Sequence, residues 1–332
     1  MKLLTAIFFF SVLMPIPAKT ENIPEYFKHV DQVIWMVKDL DKVVESWKKL
    51  GFNQIEVLDH ISVTSKNDKQ LSARMAVANL GGAHVTWIQP LSGKSVLTEF
   101  HSSYGDGVIS LVHRVSSKSL LQAEVERLSN IGIEVLDNIS FSTPKGKFNI
   151  TLMDTQKKGK YVLGYVTKET SADIHVGLTP ENLHNLKLNQ YAFAINNAKD
   201  VSDFWAKIGF PEFQINRPKL SETKYNGTIV NHELIQGWQR HGDIAYEWCI
   251  PVKGPIVYAD HINTHGEGFH HLAFSVDNMD KVLRNYGSLG FKNTMGGRWG
   301  EKGEPGSGRY EYVGLEDAGG MTIELLWNYQ EN

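Results

Sequence analysis

The chain repeats itself, and the repeat limits its possible folds more than any other feature. Trp47-Lys-Lys-Leu-Gly-Phe52 returns as Trp205-Ala-Lys-Ile-Gly-Phe210, and Gly105-Asp-Gly107 returns as Gly266-Glu-Gly268. Offsets of 158 and 161 residues mark a duplicated half. A finer repeat lies inside each half, at Leu50-Gly51-Phe52, Ile131-Gly132-Ile133, Ile208-Gly209-Phe210 and Leu289-Gly290-Phe291, with the glycines 81, 77 and 81 residues apart. Self-similarity at a steady spacing means one structural unit used four times.

Each unit reads as β-α-β-β-β. Opening strands fall at Val30 to Val37, Val108 to Val115, Gln190 to Ile195 and His271 to Val276. A helix follows, its apolar residues spaced by three and four as in Leu40, Val43, Val44, Trp47 and Leu50. Asp39, Ser116 or Ser117, Asn197 and Asp277 are the expected helix caps. The repeated glycine suits the left-handed position beyond a helix end. Two or three strands close the unit, as in Arg74 to Leu80 with His84 to Gln89, or Tyr310 to Val313 with Met321 to Trp327. One helix leaves the other face of such a sheet uncovered. The expected class is therefore α+β, with tandem units paired into two half-open barrels that each enclose a cavity. The domains expected are residues 28–170 and 188–328.

Composition removes several functions. Lys plus Arg number 34 and Asp plus Glu 37, a net charge of −3, so no basic stripe invites nucleic acid. The single cysteine, Cys249, excludes an internal disulfide and a cysteine-based zinc site. Met1-Lys2, the apolar run Leu3 to Met14 and the small residues ending at Ala18 read as a secretory signal over residues 1–18. That run is too short to span a bilayer of roughly 30 Å. The mature chain is expected to be secreted or periplasmic, with no membrane partner after cleavage.

Four such units, with His271-Leu-Ala-Phe-Ser-Val276 running into a helix and Thr322-Ile-Glu-Leu-Leu326 closing the last sheet, resemble the vicinal oxygen chelate superfamily. That superfamily includes glyoxalase I, methylmalonyl-CoA epimerase, the extradiol dioxygenases, hydroxyphenylpyruvate dioxygenase and the bleomycin-resistance proteins. The resemblance covers about residues 28–328. It implies a divalent metal held by the first and last strands of two paired units. In the second half those positions are Gln190, Glu247, His271 and Glu324. In the first half they are Gln32, Thr86, Ser110 and about Gly164, with no carboxylate or imidazole, so no metal is expected there. The residues themselves agree: Glu324 sits between Ile323 and Leu325, and Glu247 between Tyr246 and Trp248. A glutamate in an apolar strand needs a partner for its charge. One imidazole with three oxygen donors suits zinc, nickel, cobalt, manganese or ferrous iron.

The order Gln, Glu, His, Glu is similar to the ligand set of glyoxalase I and departs from the two-histidine-one-carboxylate dioxygenases. The resemblance implies a metal-dependent lyase, isomerase or epimerase that uses metal-stabilised enediolate chemistry on an α-hydroxy-carbonyl small molecule, with Glu247 or Glu324 as base. A ferrous extradiol or oxo-acid dioxygenase and a non-catalytic small-molecule binder are the alternatives. Glutathione recognition is not implied, because the family's two arginine positions hold Glu267 and Ala194. The glycine-rich segment Gly296 to Gly308 reads as a lid, with Arg298, Lys302 and Arg309 able to meet an anionic or polyhydroxy ligand. Trp238 and Trp248 could line the cavity or pack in the core. His261 and His265 are spaced like a helical metal pair, but Gly266 and Gly268 argue for a loop and against a metal there. His270 is expected on the strand face opposite His271, either exposed or supporting the ligand from behind. Cys249 shares the parity of Glu247 and is expected as a small buried thiol.

Overall fold

A polar side chain starts the helix of every unit. Asp39, Ser117, Asn197 and Asn278 accept hydrogen bonds from the backbone N–H groups of Lys42, Leu120, Asp200 and Lys281. Each satisfies a donor that the first helical turn leaves open. Ser117 is the cap of its pair of candidates. Asn278 takes the place expected of Asp277, whose carboxylate instead accepts from Asn185 Nδ2 at 2.6 Å. The computed structural model describes residues 23–66 and 69–328, so the expected signal segment lies outside the described residues. Among the described residues, no helix is long and apolar enough to cross a membrane.

The first unit comprises β1 (Gln32–Met36), α1 (Leu40–Lys49), β2 (Ile55–Thr64), β3 (Gln70–Leu80) and β4 (Ala83–Gly93). Helix α2 (Val96–Tyr104) leads to β5 (Gly107–Val115), α3 (Lys118–Ser129), β6 (Val135–Thr143), β7 (Gly146–Met153), the single turn α4 (Gln156–Gly159) and β8 (Val162–Thr167). The third unit is β9 (Lys187–Ala194), α5 (Ala198–Ile208), β10 (Gln214–Asn216), a short hairpin of β11 (Leu220–Tyr225) and β12 (Thr228–Ile229), then β13 (Glu233–His241) and β14 (Ile244–Lys253). Helix α6 (Val257–His265) leads to β15 (Gly268–Ser275), α7 (Met279–Ser288), β16 (Asn293–Trp299), β17 (Gly308–Leu315) and β18 (Met321–Asn328).

The two halves share a plan and differ at the rim. In the first, the strand order β1-β4-β3-β2-β6-β7-β8-β5 closes a barrel, with a single Thr64–Ser140 pair joining β2 to β6. In the second, the order β10-β13-β14-β9-β15-β18-β17-β16-β11-β12 stays open. The β11–β12 hairpin, which the repeat does not announce, lies along β16. It extends the open sheet at its β16 end.

One apolar core runs through both halves. Trp205 on α5 stacks on Tyr161 at 4.4 Å and donates its indole N–H to the Gly159 carbonyl at 3.0 Å. Tyr286 on α7 donates to the Leu50 carbonyl at 2.9 Å.

Phe27 packs between two buried histidines. His113 Nδ1 faces the Tyr26 and His29 carbonyls at 3.0 and 2.8 Å, and His241 Nδ1 faces the Phe27 carbonyl at 2.8 Å. Both Nε2 atoms are buried without a partner. Burial pushes both imidazoles down to about 4 from 6.5. The unfolded chain therefore binds protons that the folded one refuses. Stability is complete above pH 6.5 and falls as pH drops towards 4, by on the order of 3 kcal/mol per histidine. Urea melts across this window should show that acid limb, and His113→Gln or His241→Gln should flatten it. An acid limb of equal slope in both variants contradicts the assignment.

Candidate metal and substrate site

Strand register assembles the site. At the centre of the second sheet β9 runs antiparallel to β15, and each is flanked by a parallel closing strand, β14 or β18. Ala192 on β9 lies opposite both Glu247 and His271. Ala273 on β15 lies opposite both Gln190 and Glu324. Two small residues thus sit among four polar ones, leaving room for their heads to converge.

They do converge. Gln190 Nε2 donates to Glu247 Oε2 at 2.7 Å and to Glu324 Oε2 at 3.2 Å. His271 Nε2 lies 3.2 Å from Glu324 Oε2 and 3.7 Å from Glu247 Oε2. All four residues are at most 5% exposed. Burial raises Glu247 to about 7, with the charge of Glu324 adding to the effect, and burial raises Glu324 to about 8. Burial also holds His271 down at about 4, so the imidazole is neutral and neutralises neither acid. Two buried carboxylates facing one neutral imidazole form a donor set that a dication fits. The Gln190 amide presents its nitrogen to the acids, and a half-turn about its last torsion presents Oε1, an interchange that hydrogen bonding alone decides. Among the described residues, Glu247, His271 and Glu324 form one of two groups close enough to share an ion.

The surroundings fix these groups in unequal ways. Gln236 on β13 donates to Glu247 Oε1 at 2.6 Å, so donors hold both oxygens of that carboxylate. Tyr312 bonds Glu324, and its hydroxyl pairs with Tyr258 at 2.6 Å. His270 takes the supporting place behind His271 rather than an exposed one. It is buried, and its Nδ1 lies 2.7 Å from His271 Nδ1. A register shift between Phe269 and His271 breaks the strand alternation there. Cys249 is fully buried in a small apolar cluster, and burial pushes its thiol up.

Gln190, Glu247 and Glu324 line a cavity of about 540 Å³. Leu234, Gln236, Trp238 and Arg240 line it as alternate residues of β13. Of these, Trp238 alone was expected from the sequence to line the cavity. The Arg240 guanidinium lies 4.7 Å from the centre of the Trp238 ring. Lys219, from the link before β11, also lines the cavity. Trp248 packs in the core instead, stacked on Phe193 at 4.1 Å and Phe213 at 4.9 Å.

The three cations expected to meet substrate are placed elsewhere. Residues 293–299 and 308–315 are strands, so the expected lid shrinks to the turn at 300–307. Arg298 pairs with Glu222 of the inserted hairpin at 2.8 Å. Arg309 pairs with Asp280 on α7 at 2.7 Å and with Glu311. Lys302 stands on the exposed turn, and none of the three lines the cavity. Acids brought close only by folding capture both arginines. Glu267, at one family arginine position, accepts from the Asn196 N–H and pairs with Lys160, both at 2.7 Å, and Ala194 is buried.

In the first half, Thr86 donates to Gln32 Oε1 at 2.8 Å, and Ser110 is fully buried. A side chain at Gly164 would meet Ser110 Oγ at 2.8 Å. The first barrel is thus packed where the second is hollow. The segment of His261 and His265 is helix α6 rather than a loop; Gly266, with φ +80°, only ends it.

A closed barrel and a curled half-barrel of paired β-α-β-β-β units match the paired-unit fold expected from the repeats. Residues 189–309 match the family model described as the Glyoxalase/Bleomycin resistance protein/Dioxygenase superfamily. That stretch, most of the second half, carries the superfamily's pattern, and the resemblance carried by the repeats holds there. No curated protein sequence matches the chain. A mutant of 4-hydroxymandelate synthase from Streptomyces coelicolor is similar in structure, with TM-score 0.61 and 15% identity over 90% of this chain and 92% of that one. A catechol 2,3-dioxygenase aligns at TM-score 0.47 and 12% identity, covering 91% and 88% of the two chains. A Mn(II)-bound glyoxalase from Novosphingobium aromaticivorans aligns at TM-score 0.47 and 13% identity, covering 91% and 83%. At these identities the likeness is one of fold, and it rests on the first of the three.

Proposed function

We propose that the protein is a metal-dependent lyase, isomerase or epimerase of glyoxalase type, acting on an α-hydroxy-carbonyl small molecule. The observation that carries this reading is the meeting of Gln190, Glu247 and Glu324 in the cavity wall, with His271 beside them and both carboxylates buried. These four residues would hold one divalent ion. Such an ion supplies Lewis-acid stabilisation of negative charge on two neighbouring substrate oxygens.

The chain's own groups divide the remaining work. Glu247 is held at Oε1 by Gln236, a bond that remains when Gln190 turns its own oxygen inward, which suits a fixed ligand. Glu324 is held by longer contacts, at 3.2 Å, and is the group to take the proton beside the substrate carbonyl and return it at the adjacent carbon or opposite face. Arg240 and Lys219 give the cavity positive charge on one side, which favours a substrate bearing a carboxylate or phosphate. Arg240→Ala should raise KM for an anionic substrate by about tenfold to a hundredfold with kcat nearly unchanged, since a charged hydrogen bond contributes about 1.5–3 kcal/mol. An unchanged KM would remove Arg240 from substrate recognition.

The test of the reaction is exchange. Purified protein loaded with Zn²⁺, Ni²⁺, Co²⁺, Mn²⁺ or Fe²⁺ is incubated in deuterated water with a panel of α-hydroxy-carbonyl compounds. Deuterium at the carbon beside the carbonyl supports the proposal. Oxygen consumption with a catechol or an oxo-acid, and no exchange, would select the dioxygenase alternative. Tight ligand binding with neither would select a carrier. Export belongs to the same proposal, because residues 1–18 read as a secretory signal. A mature N-terminus beginning after Ala18 in the host's periplasm or medium would support it.

A further inference from the structure

Three side chains outside the barrel site meet where the two halves touch. His261 and His265 stand four residues apart on α6 and so share a face. Glu316 follows β17 in a short 3-10 turn. One ring nitrogen of each histidine and one Glu316 oxygen lie within 4.8 Å of one another. Beside the histidines is a crevice of about 20 Å³, lined also by Tyr104 and Asp106 of the first half. That is room for one small ion or water.

The protons on these rings are constrained. The Tyr104 carbonyl, 2.9 Å from His265 Nδ1, can only accept, so Nδ1 carries the hydrogen. A neutral His265 then turns its Nε2 lone pair towards Glu316 Oε2, 3.0 Å away. Two acceptors at that distance need a cation between them. A proton would serve this pair alone. It would leave unused the nearby His261, whose ring centre is 5.0 Å from that of His265. His261 is 5% exposed, and its Nδ1 is buried without a partner. An imidazole anchored through Nδ1–H to a carbonyl is also the arrangement that orients a metal-ligating histidine.

We propose that His261, His265 and Glu316 bind a second divalent ion of the zinc class, distinct from the barrel site. Two histidines four apart on a helix with one carboxylate form a known type of donor set for such ions. Bonds of about 2.0–2.1 Å require only that the three heads draw slightly together. The side chain of Glu316 is 55% exposed, so water can complete the coordination from that side. The ion would tie α6 and the end of β17 to Tyr104 at the end of α2, and thus one half of the chain to the other.

The test counts metal. Full-length protein is stripped with chelator, loaded with Zn²⁺, dialysed and assayed for zinc per chain. Glu316→Ala and His265→Ala should each hold one equivalent fewer than wild type, with unchanged circular dichroism. Retention of the full wild-type complement by Glu316→Ala overturns the proposal and leaves an ordinary imidazolium–carboxylate pair. Because Glu316 is largely exposed, that variant decides the matter even if His265→Ala fails to fold. The double variant His271→Ala/Glu324→Gln should still take up one equivalent, which adding Glu316→Ala removes. This arm separates failure of the barrel site from failure of this one.

Discussion

Glu324→Gln is expected to lower turnover by about 10²–10⁴-fold, the usual contribution of a positioned acid–base group. The glutamine keeps the length and shape of the side chain, and its carbonyl oxygen can still accept from Gln190. It cannot take a proton from substrate, and it removes one of the two charges that compensate a dication. The second consequence is read in stability. An ion that binds only the folded state at about a thousand times its Kd adds about 4 kcal/mol. Metal-loaded wild type should therefore melt well above chelator-treated protein, and Glu324→Gln should lose most of that difference. His271→Ala should behave alike, because it withdraws the imidazole and opens a hole beside Tyr312. Gln236→Ala separates the roles. It frees one oxygen of Glu247 without touching Glu324, so it should weaken metal binding more than it slows the proton step. If Glu324→Gln retains both wild-type turnover and the metal-dependent gain in stability, the barrel site is not the reacting centre.

Trp205→Ala is expected to destabilise the whole chain by about 3–5 kcal/mol, the range for a fully buried aromatic. Trp205 is fully buried, stacks on Tyr161 of the first half, and packs on Phe210 at 5.0 Å. Its removal leaves a cavity at the junction and strips the Gly159 carbonyl of its indole donor. The readout is a denaturant melt followed both by near-ultraviolet circular dichroism and by Trp fluorescence. Because the core is continuous, both probes should shift together. Two separate transitions in wild type, with only one moved by the substitution, would show that the halves unfold as independent units.

Periodicity and repetition carried much of the architecture. Helix α1 was legible because Leu40, Val43, Val44 and Trp47 repeat by three and four, and all four are buried. The residues that meet in the second barrel were legible as well. Glutamates flanked by Ile323 and Leu325, or by Tyr246 and Trp248, are conspicuous in a sequence, and the family pattern supplied Gln190 and His271. The cations were not legible. Arg298, Lys302 and Arg309 attract notice because they lie in a glycine-rich segment, but an arginine's partner depends on which acids the fold brings near. Glu222 and Asp280 are 76 and 29 residues away from the arginines they hold. Arg240 was not legible as a cavity residue, because alternation along β13 does not say which of its sides faces the cavity.

By itself, the sequence determined four β-α-β-β-β units in two halves, and an acidic, imidazole-bearing set confined to the second. These follow from local spacing and residue type, which act over a few turns or strand steps. Tertiary structure alone decided that the first barrel closes through Thr64 and Ser140 while the second sheet stays open with the inserted hairpin at one edge. It also decided that a register shift turns His270 onto His271, and that α6 brings His261 and His265 to Glu316. Each depends on pairing between segments far apart in the chain, where small differences in register and packing choose among arrangements that local preference leaves equal.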